Sequence, residues 1–349
     1  MSDARVDAFR ASVSQGEIRL EFGVQRPEGE TVALSHSLGV PAHVALRLLS
    51  RLRESLRDAA RRAPVSPRQT VSEMGTTLVN AQPDPAAARA AALFRLVGGL
   101  GVPFQHERSF RMAQEALLAN RVLLSVGRAP LGPDAAARVL DLCRQLGMPR
   151  KLHAEVPGLV AGARGLHFGF EAGARGDLYK VYFEREAAQA EAAGGDNVLL
   201  HLAYKWDVAQ PERCVTTRYL WRPRLDAAAL RREMTRAYGA EHAAALECAA
   251  AVLDMAAANT DPRGLQFLEV VEDDGARRSF DLNVYDAGLT LRDAQAPLAR
   301  LRQHFGIRPG QFQALYDQVS AKRLGHIAGG VHRDGGAFAT VYYGVESGG

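Results

Sequence analysis

Residues Leu178 to Glu184 read Leu-Tyr-Lys-Val-Tyr-Phe-Glu. Alternation of period two puts Lys180 and Tyr182 on one face of a strand and Tyr179, Val181 and Phe183 on the other. The apolar face has to be covered, and the other offers a cation beside a phenol. The same paired layout occurs in four more places, which predicts hairpins near 18–37, 165–184, 198–222, 265–286 and 324–343. Asp273-Asp274-Gly275 and Asp334-Gly335 supply favoured tight-turn chemistry in the last two.

Helical stripes fill the intervals. Ala45, Leu48, Leu49, Leu52 and Leu56 form one, and 86–128 reads as mostly helical with breaks at Gly98-Gly99 and Pro103, with Arg121–Gly127 open to a strand reading instead. Further helices are expected over 134–146, from Asp226 to about 258, and from Asp293 to Val319. Residues 63–84, rich in Pro, Ser, Thr and Gln, read as a loop. Between the second and third hairpins the helical signal is weak.

If helices cover the apolar face of the hairpins, the polar face points inward. The inward set is then Arg19, Glu21, His167, Glu171, Lys180, Tyr182, His201, Lys205, Thr216, Arg218, Asp281, Asn283, Tyr285, His326, Thr340 and Tyr342. Unpaired polar groups in a dry core cost several kcal/mol each, so a barrel lined this way must be wide enough for water and a ligand. Paired strands exclude the parallel barrel, which needs a helix after every strand. The expectation is one α+β domain over 1–349, a ten-stranded antiparallel barrel of five hairpins surrounded by helices. An open antiparallel sheet with one solvated face is the competing layout.

Composition narrows the function. Lysine and arginine total 43 against 39 acids, a net charge of +4 with no basic stripe, which argues against a nucleic acid partner. No apolar run nears the roughly 20 residues of a membrane span, and the N-terminus lacks signal-peptide layout, so no membrane partner and a cytoplasmic location are expected. Cys143, Cys214 and Cys248 form no CxxC pair, and His167, His201 and His326 share no metal spacing, so no metal centre is expected. Gly98-Gly99-x-Gly101 follows no predicted strand and is not a dinucleotide loop.

Five helix-flanked antiparallel hairpins, with Lys180-Val181-Tyr182 on the second, resemble the aromatic prenyltransferases of the ABBA fold, the PT-barrel. The layout matches from about 17 to 343, while the sequence match is confined to that tripeptide. The resemblance implies transfer of a prenyl group from an allylic isoprenoid diphosphate, dimethylallyl or geranyl, to an aromatic or indole-like acceptor. That acceptor is a small molecule or a peptide side chain. By position, Lys180, Lys205, Arg218 and Arg19 would hold the diphosphate, and Tyr182, Tyr285 and Tyr342 would shield the carbocation. Glu21 would hold the acceptor or take its proton. Asn283 stands where that family would carry a lysine. No cofactor is required; some members bind Mg²⁺ with the diphosphate and others do not. Asp273-Asp274 continues as Gly-Ala-Arg and is not the Asp-Asp-x-x-Asp motif of the metal-dependent all-helical synthases. Two other readings are a barrel that binds an anionic or aromatic ligand without catalysis and a pentein-type amidine-transforming enzyme. The latter needs a nucleophilic cysteine, and Cys248 lies in a helical stretch.

Overall fold

The computed structural model describes residues 8–14, 17–25, 31–41, 84–173, 176–186, 197–273, 275, 277–332 and 334–348. The structure is described as two compact units, 1–79 and 80–349. In the first, β1 (Ala8–Ser14), β2 (Glu17–Gln25) and β3 (Thr31–Pro41) form an antiparallel sheet in that order. The expected helix at 45–56 and loop at 63–84 lie outside the described residues, the loop except for Asp84.

The second unit closes ten antiparallel strands into a barrel. Its hairpins are β4 (Phe104–Ala113) with β5 (Ala116–Gly127), and β6 (Gly165–Glu171) with β7 (Leu178–Glu184). Then come β8 (Val198–Asp207) with β9 (Cys214–Arg222), and β10 (Gln266–Glu272) with β11 (Arg278–Asn283). Last are β12 (Leu324–Val331) and β13 (Ala337–Gly348), and β13 returns to β4 with Val341 opposite Phe110. Four of the five predicted hairpins are barrel hairpins. The fifth is not 18–37, which pairs within the separate three-stranded sheet, but 104–127.

Most of that segment was expected to be helical; the strand alternative at Arg121–Gly127 is the one β5 realises. Only α1 (Pro85–Gly98) is helical, with Asp84 accepting from the Ala86 amide at 3.0 Å and Pro85 in its first turn. The β4–β5 turn at Gln114-Glu115 has none of the usual turn residues. Glu115 takes φ 54° itself, and its amide donates to the Phe305 carbonyl at 2.7 Å.

Helices cover the outside in two groups. α1, α2 (Ala135–Gln145) and α3 (Val156–Ala161) share an apolar core with β5–β8, built on Leu124, Phe168, Val181, Phe183 and Trp206. α4 (Ala227–Tyr238), α5 (Ala243–Asn259), α6 (Gln295–His304) and α7 (Pro309–Val319) share the other with β10–β13 and β4, including Phe110, Phe280, Ile327 and Val341. Asp226 caps α4 as expected, accepting from the Ala229 amide at 2.8 Å. Most apolar alternates of these strands face the helices and most polar ones face the lumen, although Leu123 and Leu268 also line the cavity. Among the described residues no helix is long and apolar enough to cross a membrane.

Candidate active site in the barrel lumen

Inner positions change character along each strand. In β7 they run Glu184, Tyr182, Lys180; in β4, Glu107, Ser109, Arg111; in β9, Tyr219, Thr217; in β8, His201, Ala203, Lys205. One end of the lumen is thus basic, the other carries carboxyls and imidazoles, and phenols lie between. A cavity of about 260 Å³ reaches from Lys180 and Glu171 past Tyr182, Tyr219 and Tyr342 to Glu107, Tyr285 and His326.

At the basic end Lys180 and Arg121 both pair with Glu171, and Arg121 Nε donates to Ser109 Oγ at 3.3 Å. Lys205, opposite Lys180 in the register, has its Nζ 3.6 Å from Glu272 and 5.7 Å from the Tyr219 ring centre. Arg277 Nη1 donates to Glu272 at 3.3 Å. The Arg111 and Arg277 guanidinium groups lie 4.7 and 4.9 Å from the Phe338 ring centre, with His332 also stacked on that ring. Burial and the neighbouring cations Arg121 and Arg111 pull Lys180 down to about 7, against the pull of Glu171. Lys205 is held well below the usual lysine range by burial, Arg277 and Lys180. Thr217 Oγ1, Ser279 Oγ and Arg277 Nε are buried there with no hydrogen-bond partner. Five basic side chains and three unsatisfied donors therefore meet at one place, a composition that suits an anion.

The phenols form the middle band. Tyr219 Oη donates to Tyr182 Oη at 3.4 Å, and the Tyr342 ring lies 5.5 Å from His326. Burial raises the pKa of all three, most strongly for Tyr182 and Tyr342, so they stay neutral π faces.

At the far end Glu107 is buried, and burial raises its carboxyl pKa although Tyr285 and His326 favour its charge. Tyr285 Oη donates to Glu107 Oε1 at 2.5 Å. The Tyr285 ring sits so close to Gly325 that an added Cβ would lie 2.3 Å from it, so glycine makes room for this phenol. His326 Nδ1 is 2.7 Å from Asp281 Oδ1. Burial opposes its charge, but Asp281 and Glu107 prevail and raise it to about 9. Among the described residues no group of three or more His, Cys, Asp or Glu converges as a metal site.

Of the residues expected from sequence, Lys180, Lys205, Tyr182, Tyr285 and Tyr342 meet in this lumen. Arg218 does not. β9 runs in the opposite parity, with Thr217 and Tyr219 inward, and Arg218 points out, 46% exposed, paired with Asp273. Thr216 likewise leaves the expected inward set. Arg19 and Glu21 lie on β2, in the separate sheet, and supply no barrel position. Glu107, Arg111, Arg121, Tyr219 and Arg277 were missed. For Glu107 and Arg111 the signal was present, since Gln105, Glu107, Ser109 and Arg111 alternate with the buried Phe110 and Met112.

Hairpins closed into a wide, helix-covered barrel with a polar lumen define the PT-barrel fold. Solved prenyltransferases share this layout. The apo form of the prenyltransferase PriB is 14% identical, with 74% of this chain and 95% of that one covered at a TM-score of 0.50. The 5-dimethylallyl tryptophan synthase of Streptomyces coelicolor, in complex with DMASPP and Trp, is 18% identical over 68% and 78% at 0.49. AnaPT from Neosartorya fischeri is 16% identical over 68% and 77% at 0.44. No protein-family model and no curated protein matches the sequence. The fold is therefore shared and the sequences are far apart.

Proposed function

We propose that the barrel is an aromatic prenyltransferase, taking an allylic isoprenoid diphosphate such as the dimethylallyl or geranyl ester. The observation that carries this reading is the basic end itself, where Arg111, Arg121, Lys180, Lys205 and Arg277 surround the orphan hydroxyls of Thr217 and Ser279. The allylic C–O bond breaks and its electron pair stays on diphosphate, whose growing charge these fixed cations stabilise. The allyl cation forms at the level of Tyr182, Tyr219 and Tyr342, whose neutral faces hold it and exclude water. An aromatic acceptor anchored by Glu107 attacks with its π electrons, and loss of a ring proton restores aromaticity. The cations carry the charge without a metal in this reading.

A binding protein is the second reading, favoured by the fact that Glu171 and Glu272 already neutralise part of the cation set. Calorimetric titration with dimethylallyl and geranyl thiolodiphosphates, with and without Mg²⁺, tests the anion site. Binding lost in Lys180→Ala supports a lumenal site, and absence of heat with any donor sinks it. Turnover across acceptors, including indole and aromatic peptides, then separates transferase from binder.

A further inference from the structure

Resting on that reading, we propose that Ser125, His167 and Glu184 form a relay that removes the proton of the bound acceptor. The three lie on the adjacent strands β5, β6 and β7, with Ser125 opposite His167 and Gly165 opposite Glu184 in the register, and all three line the cavity. Ser125 Oγ is 2.7 Å from His167 Nδ1, and His167 Nε2 is 3.5 Å from Glu184 Oε2. Arg164 donates to Glu184 Oε1 at 2.8 Å.

The other bases of the cavity are poorly suited. His326 is already held protonated by Asp281 and Glu107. His201 is brought down to about 3 by burial and then by His167. Burial raises Glu184, but His167, His201 and Arg164 outweigh it and leave it at about 2, an ionised and weakly basic carboxylate. His167 Nε2 is buried without a hydrogen bond, and the ionised Glu184 oxygen 3.5 Å away can only accept, so the carboxylate's charge favours the proton of His167 on Nε2. Nδ1 then carries the lone pair and accepts from the Ser125 hydroxyl.

The step balances within these groups. The C–H bond of the attacked ring carbon breaks and its electron pair returns to the ring. That proton passes to Ser125 Oγ as the serine proton passes to His167 Nδ1, and Glu184 stabilises the resulting imidazolium. Serine acts as a conduit here and forms no covalent bond. The part-exposed Glu184 and Arg164 put the imidazolium near solvent for reset.

Two measurements on the full-length protein test this. Long-range ¹⁵N–¹H spectra of ¹⁵N-histidine protein, assigned with His167→Gln, should show His167 as the Nε2–H tautomer, with Nδ1 shifting in Ser125→Ala. A protonated Nδ1 in the neutral ring overturns the relay. The second uses ring-deuterated indole as acceptor with dimethylallyl diphosphate. Wild type should show no primary isotope effect, whereas His167→Gln and Ser125→Ala should acquire one, with kcat down about 10²-fold in His167→Gln. Turnover and isotope effect unchanged in both variants overturn the relay. A wild-type protein that binds no donor mimic counts against prenyl transfer, and the tautomer is read without any donor, so the two failures are told apart.

Discussion

Tyr285 donates a 2.5 Å hydrogen bond to Glu107 from 178 residues away, joining the turn after β11 to the first strand of the barrel. A phenol bonded to a buried carboxylate favours its charged form, while burial resists it. Removing that bond in Tyr285→Phe should raise the Glu107 pKa further. The acid limb of the kcat/KM profile should then move to higher pH, and Glu107→Gln should flatten it with a loss of about 10²-fold or more. An unmoved limb in Tyr285→Phe would show that the acid limb belongs to another group.

Anion binding should take up a proton at Lys180. With its amine at about 7 in the free protein, most molecules carry it neutral at pH 8, and a bound anion favours the ammonium. Donor-mimic affinity should therefore fall as pH rises above 7. Titration heats at pH 8 should depend on the buffer's ionisation enthalpy, and Lys180→Ala should lose most of that dependence. Heats independent of buffer in the wild type would contradict it.

Arg218→Ala separates the sequence expectation from the structure. The side chain points outward in an exposed pair with Asp273, which stabilises by at most about 1 kcal/mol. Donor affinity should stay within twofold of wild type. A tenfold loss would return Arg218 to the lumen.

His326 couples stability to pH. Its folded pKa of about 9 lies above the ordinary value of 6.5. Its contribution is then fully present below about pH 6.5 and is lost as pH rises through 9. Denaturant unfolding should show a decline over that window in wild type, and His326→Gln should lessen it. Identical slopes in the two proteins would exclude the imidazolium.

How far the sequence reached depended on what lay behind each strand. Polar-in alternation holds for Lys180 and Tyr182 because Val181 and Phe183 press on an apolar helical layer. It fails at β9, where the outward Thr216, Arg218 and Leu220 are half-buried or exposed, so a charged residue can sit outside while Tyr219 turns in. The weak helical signal between the second and third hairpins was the warning. The β4–β5 hairpin stayed hidden because Gln114-Glu115 makes its turn without glycine and takes its anchor from Phe305, a contact that exists only in three dimensions. Missing it placed the first hairpin's polar residues, Arg19 and Glu21, on β2 of the three-stranded sheet in place of β4 of the barrel.

Joining β13 back to β4 leaves no strand of the barrel with a free side. A one-residue slip in β7 would drive Tyr179, Val181 and Phe183 into the lumen and carry Lys180 and Tyr182 out, while β6 and β8 resist on either flank. Such a ring behaves like a combination lock with its dials welded: the letters on each dial can be replaced, but no dial can turn alone. New chemistry enters this barrel most simply by exchanging single inward residues.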